Sequence, residues 1–209
     1  MGWLFYFLQG VALALPSMVV PSPLKVFLIS EALTHGWRRT LPACFAPLIT
    51  DGLIVFLALL VLTQTPNWFL NTLRILGGFF ILYLAARLIK ILRANKPALQ
   101  APNEKVVRQN LLKAVGINVF NPNPYILWGV VGGPIVLQGW REQSFFVGFS
   151  LVIGFYLTFV VGLMMLVIIF AKVGELNPRL NKFMTVLSAV ALLIFGVYQI
   201  VTGTMALLN

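Results

Sequence analysis

Two proline pairs, Pro21-Ser22-Pro23 and Pro122-Asn123-Pro124, interrupt long apolar stretches at corresponding places in the two halves of the chain. Proline has no backbone N–H and its ring clashes with the preceding turn, so a helix stops where such a pair falls. In a water-soluble fold the pair would mark a loop. Inside an apolar stretch it marks a broken membrane helix. Breaks at matched positions of two halves point to the binding site of a transporter.

The rest of the sequence requires the membrane reading. Of 209 residues, 60% are apolar, and 15 Lys and Arg stand against 5 Asp and Glu. A soluble domain averages about 25% charged residues, and a chain this apolar has too little polar surface to stay dissolved. The net charge of +10 would suit a nucleic-acid binder. The Lys and Arg fall mostly between apolar runs, however, as a membrane topology signal does, so nucleic acid is not expected as a partner. The single cysteine, Cys44, rules out an intramolecular disulfide or a cysteine-based metal cluster. Its apolar surroundings make it a small core residue.

A membrane-spanning helix needs about 20 mainly apolar residues, and six segments qualify. They are Trp3 to about Leu33, Pro42–Leu62, Trp68–Leu92, Leu111–Val136, Gln143–Phe170 and Lys182–Leu208. As one straight rod the first would be roughly 46 Å long, against a hydrocarbon core of about 30 Å. It has to kink, or divide into a span and a shorter arm carrying Leu24–Leu33. Residues 3–14, with the cleavage-like Ala12-Leu13-Ala14, look superficially like a signal peptide. No Lys or Arg precedes them, so a retained helix is expected. Met1-Gly2 makes no myristoylation signal, because position 6 is Tyr.

The connections alternate in charge. Thr34–Leu41 carries Arg38 and Arg39, and Arg87–Lys113 carries Arg87, Lys90, Arg93, Lys96, Lys105, Arg108 and Lys113. Ala171–Lys182 carries Lys172, Arg179 and Lys182. Thr63–Asn67 has no charge, and Leu137–Glu142 has Arg141 against Glu142. The positive-inside rule places the three basic connections in the cytoplasm and both termini outside. Arg74, near the outer end of the third span, would snorkel outward. Asn95–Gln109 is the only long polar stretch. It divides the chain into three spans and three spans, and an odd number per half inverts the second half. The expected fold is an all-α integral membrane protein with six transmembrane helices and broken first and fourth helices. Residues 1–94 and 111–209 form two inverted three-helix repeats, joined by a cytoplasmic linker, 95–110. Gly36-Trp37-Arg38 and Gly139-Trp140-Arg141 follow the two proline pairs at similar distances, as a repeat would have them.

Asp51 is the one acid in the middle of a span. A charged Asp there costs about 2.5–3.5 kcal/mol on insertion scales. The nearest basic residue of its own helix, Arg39, is about 18 Å away along the axis. The carboxyl must be protonated, face a wet cavity, or meet a cation from another helix, and it is the candidate proton-coupling group. Asn118, Asn121 and Asn123 cluster about Pro122 and Pro124, where their amides can satisfy freed backbone groups or bind a ligand. Ser17, Ser22 and Lys25 flank Pro21 and Pro23. The candidate substrate-binding residues are Ser22, Lys25, Asn118, Asn121 and Asn123, and the helix breaks are Pro21, Pro23, Pro122 and Pro124. Lys25 and Glu31 would sit on opposite faces and not pair. Glu31, His35, Arg38 and Arg39 would form a cytoplasmic rim. Tyr125, Trp128, Tyr156 and Tyr198 are candidate cavity-lining aromatics, and Gly77-Gly78 would allow close helix contact.

Taken together, these features resemble the LysE/RhtB family of amino-acid exporters. Pro21-Ser22-Pro23 stands for the family's Pro-Gly-Pro break, Asp51 for its second-span Asp, and Arg74–Leu88 for its Gly-rich third span. Asn121-Pro122 stands for the Asn-Pro of the fourth, and Asn121–Trp128 with Gly132-Gly133-Pro134 resembles one branch of the family. Ser22 replaces the usual glycine, and Leu24 stands where many members have Asn. The resemblance covers essentially the whole chain. It implies a multi-pass exporter of the bacterial inner membrane, coupled to the proton gradient, with a homodimer as an assembly the family allows.

The leading expectation is a secondary exporter of amino acids or similar small polar metabolites, with lipid, substrate and protons as its partners. An alternative is a divalent metal-ion exporter of the same superfamily. That would need several ligands at one depth, whereas this chain offers Asp51, amides, one His and one Cys, with Lys25 repelling a cation. A third is a membrane enzyme or non-transporting scaffold, but no nucleophile with a base, and no His-rich metal set, lies within the spans. No cofactor, metal or catalytic residue is expected.

Overall fold

The computed structural model describes residues 2–61, 67–93, 104–176 and 178–208, and all the secondary structure in them is helical. Helix α1 (Gly2–Val19) stops before the first proline pair, and α2 (Pro23–His35) starts on its second proline. The two are bent by 69°, so the long first segment divides. At Gly36 the backbone enters the left-handed region, φ 80°, which a glycine adopts without strain, and α2 ends there. Helix α3 (Trp37–Thr40) leads through a 3-10 turn, Leu41–Phe45, into α4 (Ala46–Val61), and α5 (Asn67–Arg93) follows. Helix α6 (Glu104–Val119) stops before the second proline pair. Helix α7 (Pro122–Ile126) starts on it and passes through a π-helical turn, Leu127–Gly132, into α8 (Gly133–Glu142). Then come α9 (Phe145–Leu176) and α10 (Pro178–Leu208).

Among the described residues three helical runs, Trp37–Phe56, Phe145–Gly174 and Arg179–Leu207, are long and apolar enough to cross a membrane. The bent pair α1 and α2 makes a fourth if counted as one span. The other two of the six expected spans are of a different kind. Helix α5 carries Arg74, Arg87, Lys90 and Arg93, and the fourth segment is divided among α6, α7, the π turn and α8. Residues 104–110 of the expected linker are helical. Helix α6 already runs from Glu104, and Asn110 is fully buried, its Oδ1 accepting from Lys113 Nζ at 3.2 Å. Leu62, residues 63–66 and residues 95–103 of the linker lie outside the described residues.

Helix α1 packs along α9, and α5 along α10, as the two most extensive helix pairs. Both are drawn together by glycines. A Cβ at Gly10 would collide with the Leu151 backbone and one at Gly154 with Phe7, while Gly78 and Gly196 meet in the same manner. Close backbone approach of this kind is what holds helices together in lipid, where burial of apolar surface supplies no drive. The opposite faces carry exposed apolar side chains such as Phe5, Leu8, Phe146, Ile153, Met165 and Ile194, which suit a lipid surround.

Contacts between distant residues define the two ends of the bundle. At one, Lys113 Nζ lies 3.2 Å from Glu31, and Asn181 Nδ2 donates to the Leu33 carbonyl at 3.1 Å. The described parts of the three basic connections therefore share that end. At the other, Ser150 Oγ donates to the Trp3 carbonyl at 2.8 Å, and Asn71 Nδ2 to the Ala206 carbonyl at 3.2 Å. The start of α1 and the finish of α10 lie there, with the turn between α8 and α9.

Candidate functional site

The two breaks are built on one plan. At the first, Ser22 has an extended backbone and caps α2, its Oγ accepting from the Lys25 N–H at 3.4 Å, and Pro23 takes the first helical position. Proline is suited to that position, where the N–H has no intrahelical partner. The Lys25 ammonium turns back and donates to the carbonyls of Ser17 and Val20, at the end of α1. Those carbonyls have no helical N–H to bond, and they form the negative end of the helix dipole. At the second break, Asn121 Oδ1 accepts from the Asn123 N–H at 3.1 Å, and Pro122 takes the first position of α7. Here the Tyr125 hydroxyl reaches back, donating to the Val119 carbonyl at the end of α6, at 3.1 Å. Pro21 lies in the non-helical stretch, and Pro124 lies within the first turn of α7, continuing the new helix rather than breaking one.

Asp51 is buried on α4, at 4% exposure. Asn118 Nδ2, from α6, donates to its Oδ1 at 2.5 Å, and the Thr50 hydroxyl lies 3.0 Å from the same oxygen. The Tyr156 hydroxyl, from α9, donates to its Oδ2 at 3.0 Å. Three helices thus meet at one carboxyl, and among the described residues no Lys, Arg or His is paired with it. The carboxyl is held by neutral donors. Such a group can take up or give up a proton, or meet a cationic ligand, without first breaking an ion pair.

A cavity of about 390 Å³ opens against this carboxyl. The first break contributes Ser17, Val20 and Ser22 to its wall, the second Asn121, Asn123 and Pro124, and Asp51 and Asn118 lie between them. The rest is apolar, from Leu24, Leu127, Val130, Phe155 and Phe159 among others. Ser22, Asp51, Asn118, Asn121 and Asn123 are therefore brought together. Toward the basic end the cavity has a packed floor. Leu24, Phe27 and Leu28 of α2 meet Leu84, Ala114, Ile117, Leu163 and Val167 in one buried cluster. Beyond it Glu31 pairs with Lys113 and, at 2.7 Å, with His35.

Several expectations change. Lys25 is buried but does not line the cavity, because its ammonium is engaged by the α1 carbonyls. It does not pair with Glu31, as its place on the opposite face of α2 required. Tyr125 is turned to the α6 terminus, and Tyr198 points outward, 63% exposed on α10. Tyr156 lies behind Asp51, its ring stacked on Trp128 at 5.7 Å. The aromatic wall is instead Phe155 and Phe159, one turn apart on α9. Their spacing was in the sequence, but nothing in it said which face of an all-apolar helix turns inward. Thr50 and the π turn were also missed. Cys44 is fully buried in the core. Among the described residues no three His, Cys, Asp or Glu side chains are grouped as metal ligands would be.

Residues 15–203, which include both breaks and Asp51, match the family described as LysE type translocator. The chain belongs to that family. It is a multi-pass membrane protein of that family. It is also similar to a leucine efflux protein of Enterobacter sp. (strain 638), at 23% identity over 114 residues. That alignment covers 53% of this translocator and 54% of the relative, so the chain spans about half the length of the curated relative it matches. No solved structure matches it.

Proposed function

We propose that this translocator is a secondary exporter of amino acids or similar small polar metabolites, coupled to protons through Asp51. The observation that carries the reading is the single cavity in which both helix breaks and the buried carboxyl meet. Substrate is held between the halves, against Ser22 and the amides of Asn118, Asn121 and Asn123. Broken helices place backbone and capping groups at mid-membrane, where an unbroken helix offers none. Asp51 takes up a proton from outside and releases it inside, and its neutral partners on α4, α6 and α9 let that exchange reset three helices. The apolar wall of Leu127, Val130, Phe155 and Phe159 favours a cargo with an aliphatic side chain, which agrees with the leucine efflux relative.

The architecture we infer is six spans in two inverted repeats, residues 1–94 and 111–209, in the inner membrane with both termini outside. Helix pairing supports it. The third-span helix α5 packs on the sixth-span helix α10. The first span packs on the fifth, as α1 on α9, and the fourth packs on the second, as α6 to α8 on α4. These are the pairings that a two-fold exchange of the halves preserves. The basic end then faces the cytoplasm. The packed floor and the Glu31–Lys113 pair make the described state one that is closed on that side.

The test is export from cells loaded with dipeptides, followed by metabolite profiling of the medium. The wild-type chain should release one or a few aliphatic amino acids, and Asp51→Asn at matched membrane abundance should lose gradient-driven export. Undiminished export by that variant rejects the coupling role. A wild-type chain that alters no metabolite in the medium rejects the exporter reading.

A further inference from the structure

On the other flank of α4 from the candidate site, a second hollow of about 650 Å³ opens to the outside of the bundle. Gly52, Val55 and Phe56 of α4 form one wall, Leu137 and Trp140 of α8 another, and Phe145 and Phe149 of α9 the third. The aromatic side is preformed. Trp140 meets Phe145 edge-on at 4.9 Å, and Phe145 stacks on Phe149 at 5.6 Å. The hollow runs from the level of Gly52, next to Asp51, toward the end of the bundle where α8 turns into α9. Arg141 stands at that end.

Two features say what fits. Gly52 is in the interior of a helix, where glycine is unfavourable relative to alanine. It has an ordinary helical backbone and no close neighbour, for a Cβ built there meets nothing within 4 Å. Neither strain nor helix packing explains it, whereas an occupant lying across that point does. Arg141 is exposed, and among the described residues no acidic or acceptor group pairs with it. The adjacent Glu142 is engaged instead by Gln138 Nε2 at 3.0 Å. An apolar trough that begins at mid-membrane and finishes at an unpaired guanidinium beside an interfacial Trp is complementary to an amphipath with an anionic head.

We propose that this groove seats an acyl chain of an anionic phospholipid, with the lipid phosphate held by Arg141. The lipid lies against the helix that carries Asp51, so its occupancy steadies that helix from the membrane side.

Native mass spectrometry of the delipidated full-length protein tests this with phosphatidylglycerol and phosphatidylcholine of identical chains. Wild type should retain phosphatidylglycerol about tenfold better, as a charge-assisted contact warrants. Arg141→Gln should remove that preference. Gly52→Leu, whose side chain enters free space and improves helix propensity, should lower retention of both lipids. Equal retention of the two lipids by wild type, a comparison needing no variant, overturns the proposal. So does undiminished phosphatidylglycerol retention in both variants. A dimer that forms in wild type and is lost in Gly52→Leu overturns it in favour of a second copy of the chain in the groove.

Discussion

At the first break a 69° bend is spanned by a cation, the Lys25 ammonium on the carbonyls of Ser17 and Val20. At the second, the end of α6 is met by a neutral phenol, Tyr125 on Val119, and the chain beyond it relaxes into a π turn. Both breaks need the same three parts: a polar cap, a proline at the first helical position, and a side chain reaching back to the orphaned carbonyls. The parts differ in strength. A charged hydrogen bond is roughly twice as strong as a neutral one, and π turns recur where helices adjust to function. The first break is thus the anchored one, and the second is the more weakly held.

That contrast can be broken by mutation. Lys25→Met should cost most, about 2–3 kcal/mol, because two part-buried carbonyls lose their charged donor together. Tyr125→Phe removes one neutral bond and should cost about 1 kcal/mol. Thermal unfolding in detergent, followed by the reactivity of the buried Cys44 thiol, measures both. A Tyr125 variant less stable than the Lys25 variant would reverse the assignment of the anchored break. The caps come next. Asn121→Ala should cost about 1 kcal/mol and Ser22→Ala about half of that, since the Ser22 bond is long at 3.4 Å. The smallest effects belong to Pro23→Ala and Pro122→Ala, each within about 1 kcal/mol, because neither proline displaces a helical hydrogen bond. A larger loss at either would mean that the proline does more than start a helix.

Hydrogen exchange sharpens the same contrast. On adding an amino acid that the export assay identifies as substrate, protection should change more in residues 120–132 than in residues 17–25. Equal change at both would make the breaks equivalent moving parts.

The breaks were legible in the sequence because proline acts locally. Asp51 itself stood out because a lone acid in an apolar run has few physical options, but its partners Thr50 and Tyr156 did not. What could not be read was direction. Lys25 had the composition of a cavity residue, and only the bend shows that its ammonium returns to α1. Tyr125, Tyr156 and Tyr198 look alike in a sequence in which nearly every position is apolar. One caps a helix, one holds Asp51 and one faces outward. The π turn adds a residue without any compositional trace. Helix α6 extends into the polar stretch and is tied to the first half by the Lys113–Glu31 contact, which no local pattern records.

The central claim is that Asp51 carries the proton while the breaks carry the substrate. Proteoliposomes separate the two, by comparing substrate flux driven by an imposed pH gradient with substrate exchange in its absence. Asp51→Asn should abolish the driven flux and retain exchange. Driven flux at the wild-type rate would place coupling elsewhere, and loss of both would make Asp51 part of substrate binding or of the fold.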